Sequence, residues 1–250
     1  MKVTDKKYTF TAVNENIIKL IESNIKNRHL TDMKKVKIKN STKEYEIGKI
    51  VCVGKNYAAH AKELGGELPE FPLIFLKPTS AVIYSGDKVI HPDYTANLHH
   101  EIELVLLIGR TIKNASAQEA EDAIAGYGVG LDMTARDVQN KLKDMGHPWT
   151  LAKCFDTSAV LSDFVLKSDY KLKGNERITL SVNGAVRQNS TLDTMFYPPV
   201  KVVEYISSKF TLEEGDLIFT GTPEGVSRVV QGDKLSGSIE NIGTLTSEII

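Results

Sequence analysis

Two glutamates, Glu101 and Glu103, stand at the head of the run His99-His-Glu-Ile-Glu-Leu-Val-Leu-Leu-Ile. On a strand, residues two apart share a face, so these carboxylates point together while Ile102 and Leu104 point the other way. Past Leu104 the run is wholly apolar, as in a core strand. Two carboxylates side by side at the start of a buried strand repel each other and lose solvation unless something positive sits between them. A metal cation meets that need. An exposed strand edge with two solvated glutamates is the competing reading.

Four more segments carry residue types suited to chemistry. Gly126-Tyr-Gly-Val-Gly-Leu-Asp132 is a glycine-rich apolar strand that runs into an aspartate. Its glycine spacing does not fit a dinucleotide fingerprint. A strand end is a common ligand position, and a loop or cap aspartate is the plainer alternative. His60 and Glu63 lie three apart on an expected helix and share a face. A carboxylate beside an imidazole raises its basicity and fixes its tautomer, so the pair can take a proton from water, or it is a surface ion pair. Lys153 follows a Pro-Trp loop in Gly146-His-Pro-Trp-Thr-Leu-Ala-Lys. It can hold a substrate carboxylate or a developing enolate, or snorkel at the surface. Phe219-Thr-Gly-Thr-Pro-Glu-Gly-Val reads as a tight turn after a buried strand. Its amides and the Thr222 hydroxyl can grip an anion, or the turn is purely structural.

These side chains need a frame. Ile50-Val-Cys-Val reads as a buried strand stopped by Gly54, and Tyr57 to Leu64 as a short helix closed by Gly65-Gly66. Leu73-Ile-Phe-Leu is a strand halted by Pro78. Short strands are expected at 81–84, 101–108, 126–131, 178–182, 217–219 and 234–239, separated by Gly-Asp and Asn-Gly turns. Helices are expected at 117–124 and 200–208, the first with Ser116 as N-cap and Glu119 three residues on. Strands and helices do not alternate, which argues against a doubly wound parallel sheet and for a β-rich α+β fold, a sandwich or a rolled sheet. The first 48 residues differ in texture, rich in Lys, Asn, Thr and Ile. An amphipathic helix from Asn14 and a strand at Lys35-Val-Lys-Ile-Lys suggest a small subdomain at 1–48 before a main domain at 49–250.

Composition narrows the function classes. The 250 residues carry 31 Lys+Arg against 32 Asp+Glu, so no strong field points to nucleic acid or an anionic membrane. Cys52 and Cys154 are too few and too far apart for a disulfide framework or a zinc motif. No leader pattern and no spanning-length apolar run is read, and a cytoplasmic protein is the default expectation.

Together, VGKNYAAHAKE, FLKPTSA, HHEIELVLLIG, GYGVGLDMTARDVQ, PWTLAKCFD, VNGAVRQ and LEEGDLIFTGTPEGV resemble the fumarylacetoacetate hydrolase family, in order, from about Lys49 onward. Thr134-Ala-Arg-Asp-Val-Gln and Pro148-Trp-Thr-Leu-Ala-Lys are similar to its domain-containing protein 1 branch of acylpyruvases and oxaloacetate decarboxylases. The resemblance implies a rolled mixed β-sheet fold, Mg2+ or Mn2+, a small keto-acid substrate and a homodimer. It implies metal ligands at Glu101, Glu103 and Asp132, and a water-activating dyad at His60 and Glu63. It puts Lys153 beside the metal, and substrate contacts at Arg136, Gln139 and Thr222. Two reactions would share a pyruvate-type enolate: hydrolysis of acylpyruvates and decarboxylation of oxaloacetate. The alternatives are a homoprotocatechuate-pathway isomerase or decarboxylase, a 2-keto-3-deoxy sugar acid dehydratase, and a metal-dependent keto-acid binder without turnover. Two positions depart from the pattern: Cys154 replaces a small Ser or Gly, and Ser227 stands where Gly commonly follows the turn.

Overall fold

The computed structural model describes residues 33–63, 65 and 70–250. The amphipathic helix expected from Asn14 lies outside the described residues. Lys34–Ile250 forms one compact unit.

Its centre is an eight-stranded mixed sheet. In spatial order it runs Leu73–Lys77, Ile50–Gly54, Leu217–Phe219, Ile102–Ile108, Ile124–Asp132, Ala159–Leu161 and Val82–Tyr84, with Val165–Leu166 also paired to Ile124–Asp132. Two of its pairings are parallel, Leu217–Phe219 on Ile50–Gly54 and Ala159–Leu161 on Val82–Tyr84. A five-stranded sheet runs Ala185–Thr191, Arg177–Val182, Lys234–Ile239, Gly243–Ile249 and Lys88–Val89. The β-rich α+β architecture expected from the sequence is the one found.

The strand Ile102–Ile108 is buried on both faces. Ile102, Leu104, Leu106 and Ile108 enter a large core shared with Leu180, Leu235 and Leu245 of the five-stranded sheet and with Ala120, Val202 and Ile206 from two helices. Val105 and Leu107 face a second core with Phe164, Phe219 and, from the hairpin of Lys35–Lys37 and Glu44–Glu46, Val36 and Tyr45. The strand alternation therefore holds: Glu103 lies on the Val105 face, and Ile102 and Leu104 lie on the other.

The helix Ala117–Ala123 carries the expected capping box, Ser116 with Glu119, and the second expected helix spans Pro199–Lys209. The helix before Gly65 spans Ala58–Glu63. Sequence patterning did not announce the helix Arg136–Asp144. It buries Leu142 against Ala135 and Ala152 in a small separate cluster, with Val138 packed alongside.

Candidate active site

Glu101 and Glu103 meet Asp132 because the strands that carry them pair antiparallel. Ile102 stands opposite Leu131, Glu103 opposite Gly130, and the Asp132 amide donates to the Glu101 carbonyl at 2.9 Å. Cross-strand neighbours share a face, so Asp132 joins the glutamates. All three are buried, which rules out the exposed-edge reading. One oxygen from each lies within 4.8 Å of the others.

The glycines before Asp132 serve packing. A Cβ on Gly130 would come within 2.6 Å of Phe219 and Val105, and one on Gly128 within 2.5 Å of Phe164. The aromatic rings of the second core press against bare backbone here.

Buried cations balance part of this charge. The Lys153 ammonium donates to Glu101 at 2.7 Å, Asp132 at 2.6 Å and the Thr134 hydroxyl at 2.7 Å. Lys153 is thus no snorkelling surface residue, and all three of its protons are committed. Arg136 pairs with the other oxygen of Glu101 and donates to the Gln139 carbonyl oxygen at 2.5 Å. Lys77 stands 2.8 Å from Asp132 Oδ1 and donates to Ser158 at 3.0 Å and to the Lys153 carbonyl. Sequence reasoning missed Lys77; its signal was a lysine ending an apolar strand just before Pro78.

Glu103 is treated differently. Among the described residues its one hydrogen bond comes from the Gly221 amide at 2.7 Å. Burial, then the charges of Asp132 and Glu101, push its carboxyl well above the ordinary range. Burial would raise Glu101 too, but Lys153 and Arg136 outweigh it and hold that group well below the usual range. Asp132 Oδ1, buried, lacks an aligned hydrogen-bond donor although Lys77 is close. Three converging buried carboxylates, one of them raised and without an ion-pair partner among the described residues, fit a cation at their centre. An all-oxygen set suits Mg2+ or Mn2+ over zinc.

His60 is buried, and its Nδ1 lies 3.1 Å from Glu63 Oε2. Burial lowers the His60 pKa against the opposing pull of Glu101 and Glu63. The ring is therefore neutral at neutral pH, and Nδ1–H donation to Glu63 leaves the Nε2 lone pair free. Glu63 is itself held by the Gly225 amide at 3.0 Å, so the glycine-bearing turn of the fifth motif anchors the dyad.

The Thr222 hydroxyl donates to the Ile102 carbonyl at 2.7 Å and accepts from Gln188 at 2.8 Å. Gln188 in turn contacts His100, and His100 contacts the Ser227 hydroxyl, both at 2.9 Å. Ser227, a departure from the family pattern, thus ends a buried chain that leads to Thr222.

One cavity of about 270 Å3 is lined by all nine predicted residues: His60, Glu63, Glu101, Glu103, Asp132, Arg136, Gln139, Lys153 and Thr222. Phe75 and Trp149 line it as well, with ring centroids 5.8 Å apart.

The family model described as fumarylacetoacetate (FAA) hydrolase C-terminal matches residues 49–250. The chain belongs to the fumarylacetoacetate hydrolase family. Among curated proteins, it is 42% identical over 208 residues to the oxaloacetate tautomerase YcgM of Escherichia coli, covering 83% of this chain and 94% of that protein. It is 44% identical over 199 residues to a mitochondrial oxaloacetate tautomerase of Bos taurus, covering 79% and 90%. Among solved structures, the fumarylpyruvate hydrolase of Pseudomonas aeruginosa in complex with Mn2+ and pyruvate superposes with a TM-score of 0.84 at 38% identity, covering 87% of this chain and 95% of that one. Among the described residues no helix is long and apolar enough to cross a membrane.

Proposed function

We propose that this family member is a divalent-cation-dependent enzyme that interconverts the enol and keto forms of a small 2-keto diacid of the oxaloacetate type. The carrying observation is the buried His60, its Nδ1 3.1 Å from Glu63, facing the same small cavity as the carboxylate trio. Two curated relatives named as oxaloacetate tautomerases support the choice of reaction. Mg2+ or Mn2+ held by Glu101, Glu103 and Asp132 would draw electron density from the keto oxygen and acidify the adjacent carbon. His60 Nε2 takes the proton from that carbon, and the C–H electron pair becomes the C=C bond. The imidazolium, stabilised by Glu63, returns the proton to the oxygen; the reverse runs through the same atoms.

Arg136 Nε is buried without a partner among the described residues, and the Gln139 oxygen is turned to Arg136, which leaves its NH2 group to donate. These groups and the Thr222 backbone N–H would grip the substrate carboxylate; the Thr222 hydroxyl proton is spent on Ile102. Lys153 sets the carboxylates in place. The same reading has the chain working as a homodimer, supported by the exposed Leu76 on the edge strand Leu73–Lys77 and the nearby exposed Leu151.

A second reading, hydrolysis of acylpyruvates, is favoured by the likeness to the Pseudomonas fumarylpyruvate hydrolase. There His60 would deprotonate a water that attacks the distal carbonyl, and the C–C bond breaks. Decarboxylation of oxaloacetate is the third outcome of the same assay. With Mg2+ or Mn2+ present, enol absorbance of oxaloacetate, pyruvate released from acetylpyruvate and CO2 release are followed side by side. Acceleration of enol loss beyond CO2 release supports tautomerisation. Faster pyruvate release selects hydrolysis. Oxalate binding with no turnover of either compound would overturn the enzyme reading in favour of a binder.

A further inference from the structure

The helix Arg136–Asp144 presents Arg136, Gln139, Asn140 and Lys143 to the cavity, positions i, i+3, i+4 and i+7 of one face. Arg136 and Gln139 are buried beside the carboxylate trio; Asn140 and Lys143 are exposed. At 1.5 Å per residue, the seven-residue step from Arg136 to Lys143 climbs roughly 10 Å from the inner end to the mouth.

A second lysine lines the same cavity from another direction. Lys55 follows the strand end at Gly54 and holds a left-handed backbone with φ 57°. Its neighbour Asn56 locks that turn: its NH2 group donates to the Thr220 carbonyl at 2.8 Å and the Tyr197 carbonyl at 2.9 Å, and its oxygen accepts from the Tyr197 amide at 2.7 Å. The position of Lys55 is therefore built, not incidental. Burial and then the charge of Lys143 lower the Lys55 pKa, so the two ammonium groups feel each other. Neither has a recorded ion-pair partner among the described residues. Outside the trio, the one carboxylate lining the cavity among the described residues is Glu63, and it is engaged by His60 and Gly225.

We propose that Lys55 and Lys143 form a second anion subsite at the cavity mouth that takes the distal carboxylate of a dicarboxylic 2-keto acid, and so select diacids over monoacids. This rests on the keto-acid reading above and sharpens it. Two like charges at one end of a cavity cost free energy unless an anion shared between them offsets it. A substrate whose keto-acid end sits by Arg136 carries its far carboxylate outward along the helix face toward Lys143.

The test uses binding, so that turnover is not needed. Affinities of the Mn2+-loaded protein for 2-oxoglutarate and for 2-oxopentanoate, matched in chain length but lacking the far carboxylate, are measured by calorimetry. The expected wild-type preference for the diacid is on the order of tenfold, as two partly exposed ion pairs can supply. Lys55→Gln and Lys143→Gln should each cut the ratio roughly threefold, and the double variant should bring it near one. Lys143→Glu, at an exposed site that folding tolerates, should favour the monoacid. A wild type that binds both acids equally overturns the subsite while leaving the keto-acid reading standing. A double variant that keeps the preference also overturns it. A wild type that binds neither acid overturns both.

Discussion

Among the three carboxylates, Glu103 is the one without an ion-pair partner among the described residues, since Lys153, Arg136 and Lys77 serve Glu101 and Asp132. The division of labour among residues sets a clear expectation for the dyad. His60→Ala removes the proposed base but none of the carboxylates, so enol–keto exchange and any acylpyruvate cleavage should fall by about 10²–10⁴-fold. Loss of CO2 from oxaloacetate needs no base from the chain and should fall far less. Parallel rates of enol decay and CO2 release in the variant check this; equal losses in both would count against the proton role of His60. At this scale the sequence was readable where spacing alone dictates facing, as for Glu101 and Glu103, or for His60 and Glu63. Asp132 joins them only through a strand pairing that no local pattern announces; the family resemblance supplied it. Lys77 and the His100–Gln188–Thr222 chain were hidden because their partners lie 34 or more positions away along the chain.

The elements that carry these residues are held by complementary shapes. The strand Ile124–Asp132 is glycine-rich because Phe164 and Phe219 lie against its backbone, and its last residue is a site carboxylate. Gly130→Ala would place a methyl group 2.6 Å from Phe219 and Val105. Overpacking of this kind costs about 1–3 kcal/mol, and for a chain of this size each kcal/mol lowers Tm by roughly 2–4 °C. Thermal unfolding should show that drop, together with weaker cation binding because Asp132 sits two residues further along the same strand; an unchanged Tm would mean the core is looser here than its contacts imply. Strand segments and the capped helix at Ser116 were legible because alternation and a capping box are local signals. The helix Arg136–Asp144 was not, because it has two narrow apolar positions, Val138 and Leu142, and a polar face turned inward toward a cavity. Amphipathic patterns read as core against solvent, and an inward polar stripe inverts that logic.

At the scale of the molecule, the site ties together segments that are distant along the chain: Ala58–Glu63, Ile102–Ile108, Ile124–Asp132, Arg136–Asp144 and Thr150–Lys153. An unfolded chain does not bring Glu101, Glu103 and Asp132 within 4.8 Å of one another, so a cation that binds them binds the native state alone. Its binding free energy then adds to the stability of the whole fold. At a concentration 100 times the dissociation constant, that gain is about 2.7 kcal/mol, or a rise in Tm of roughly 5–10 °C for a chain of this length. Scanning calorimetry of the chelator-treated protein, with Mg2+ or Mn2+ then added, should show the rise. Glu103→Gln should flatten it, because the substituted amide keeps the shape but removes the one carboxylate of the trio with no ion-pair partner among the described residues. The same variant should be no less stable than the wild type when both are free of metal, since burying the Glu103 charge beside Asp132 and Glu101 is unfavourable without a cation. An equal rise for both proteins would place the cation elsewhere and remove the carboxylate trio from the centre of the mechanism.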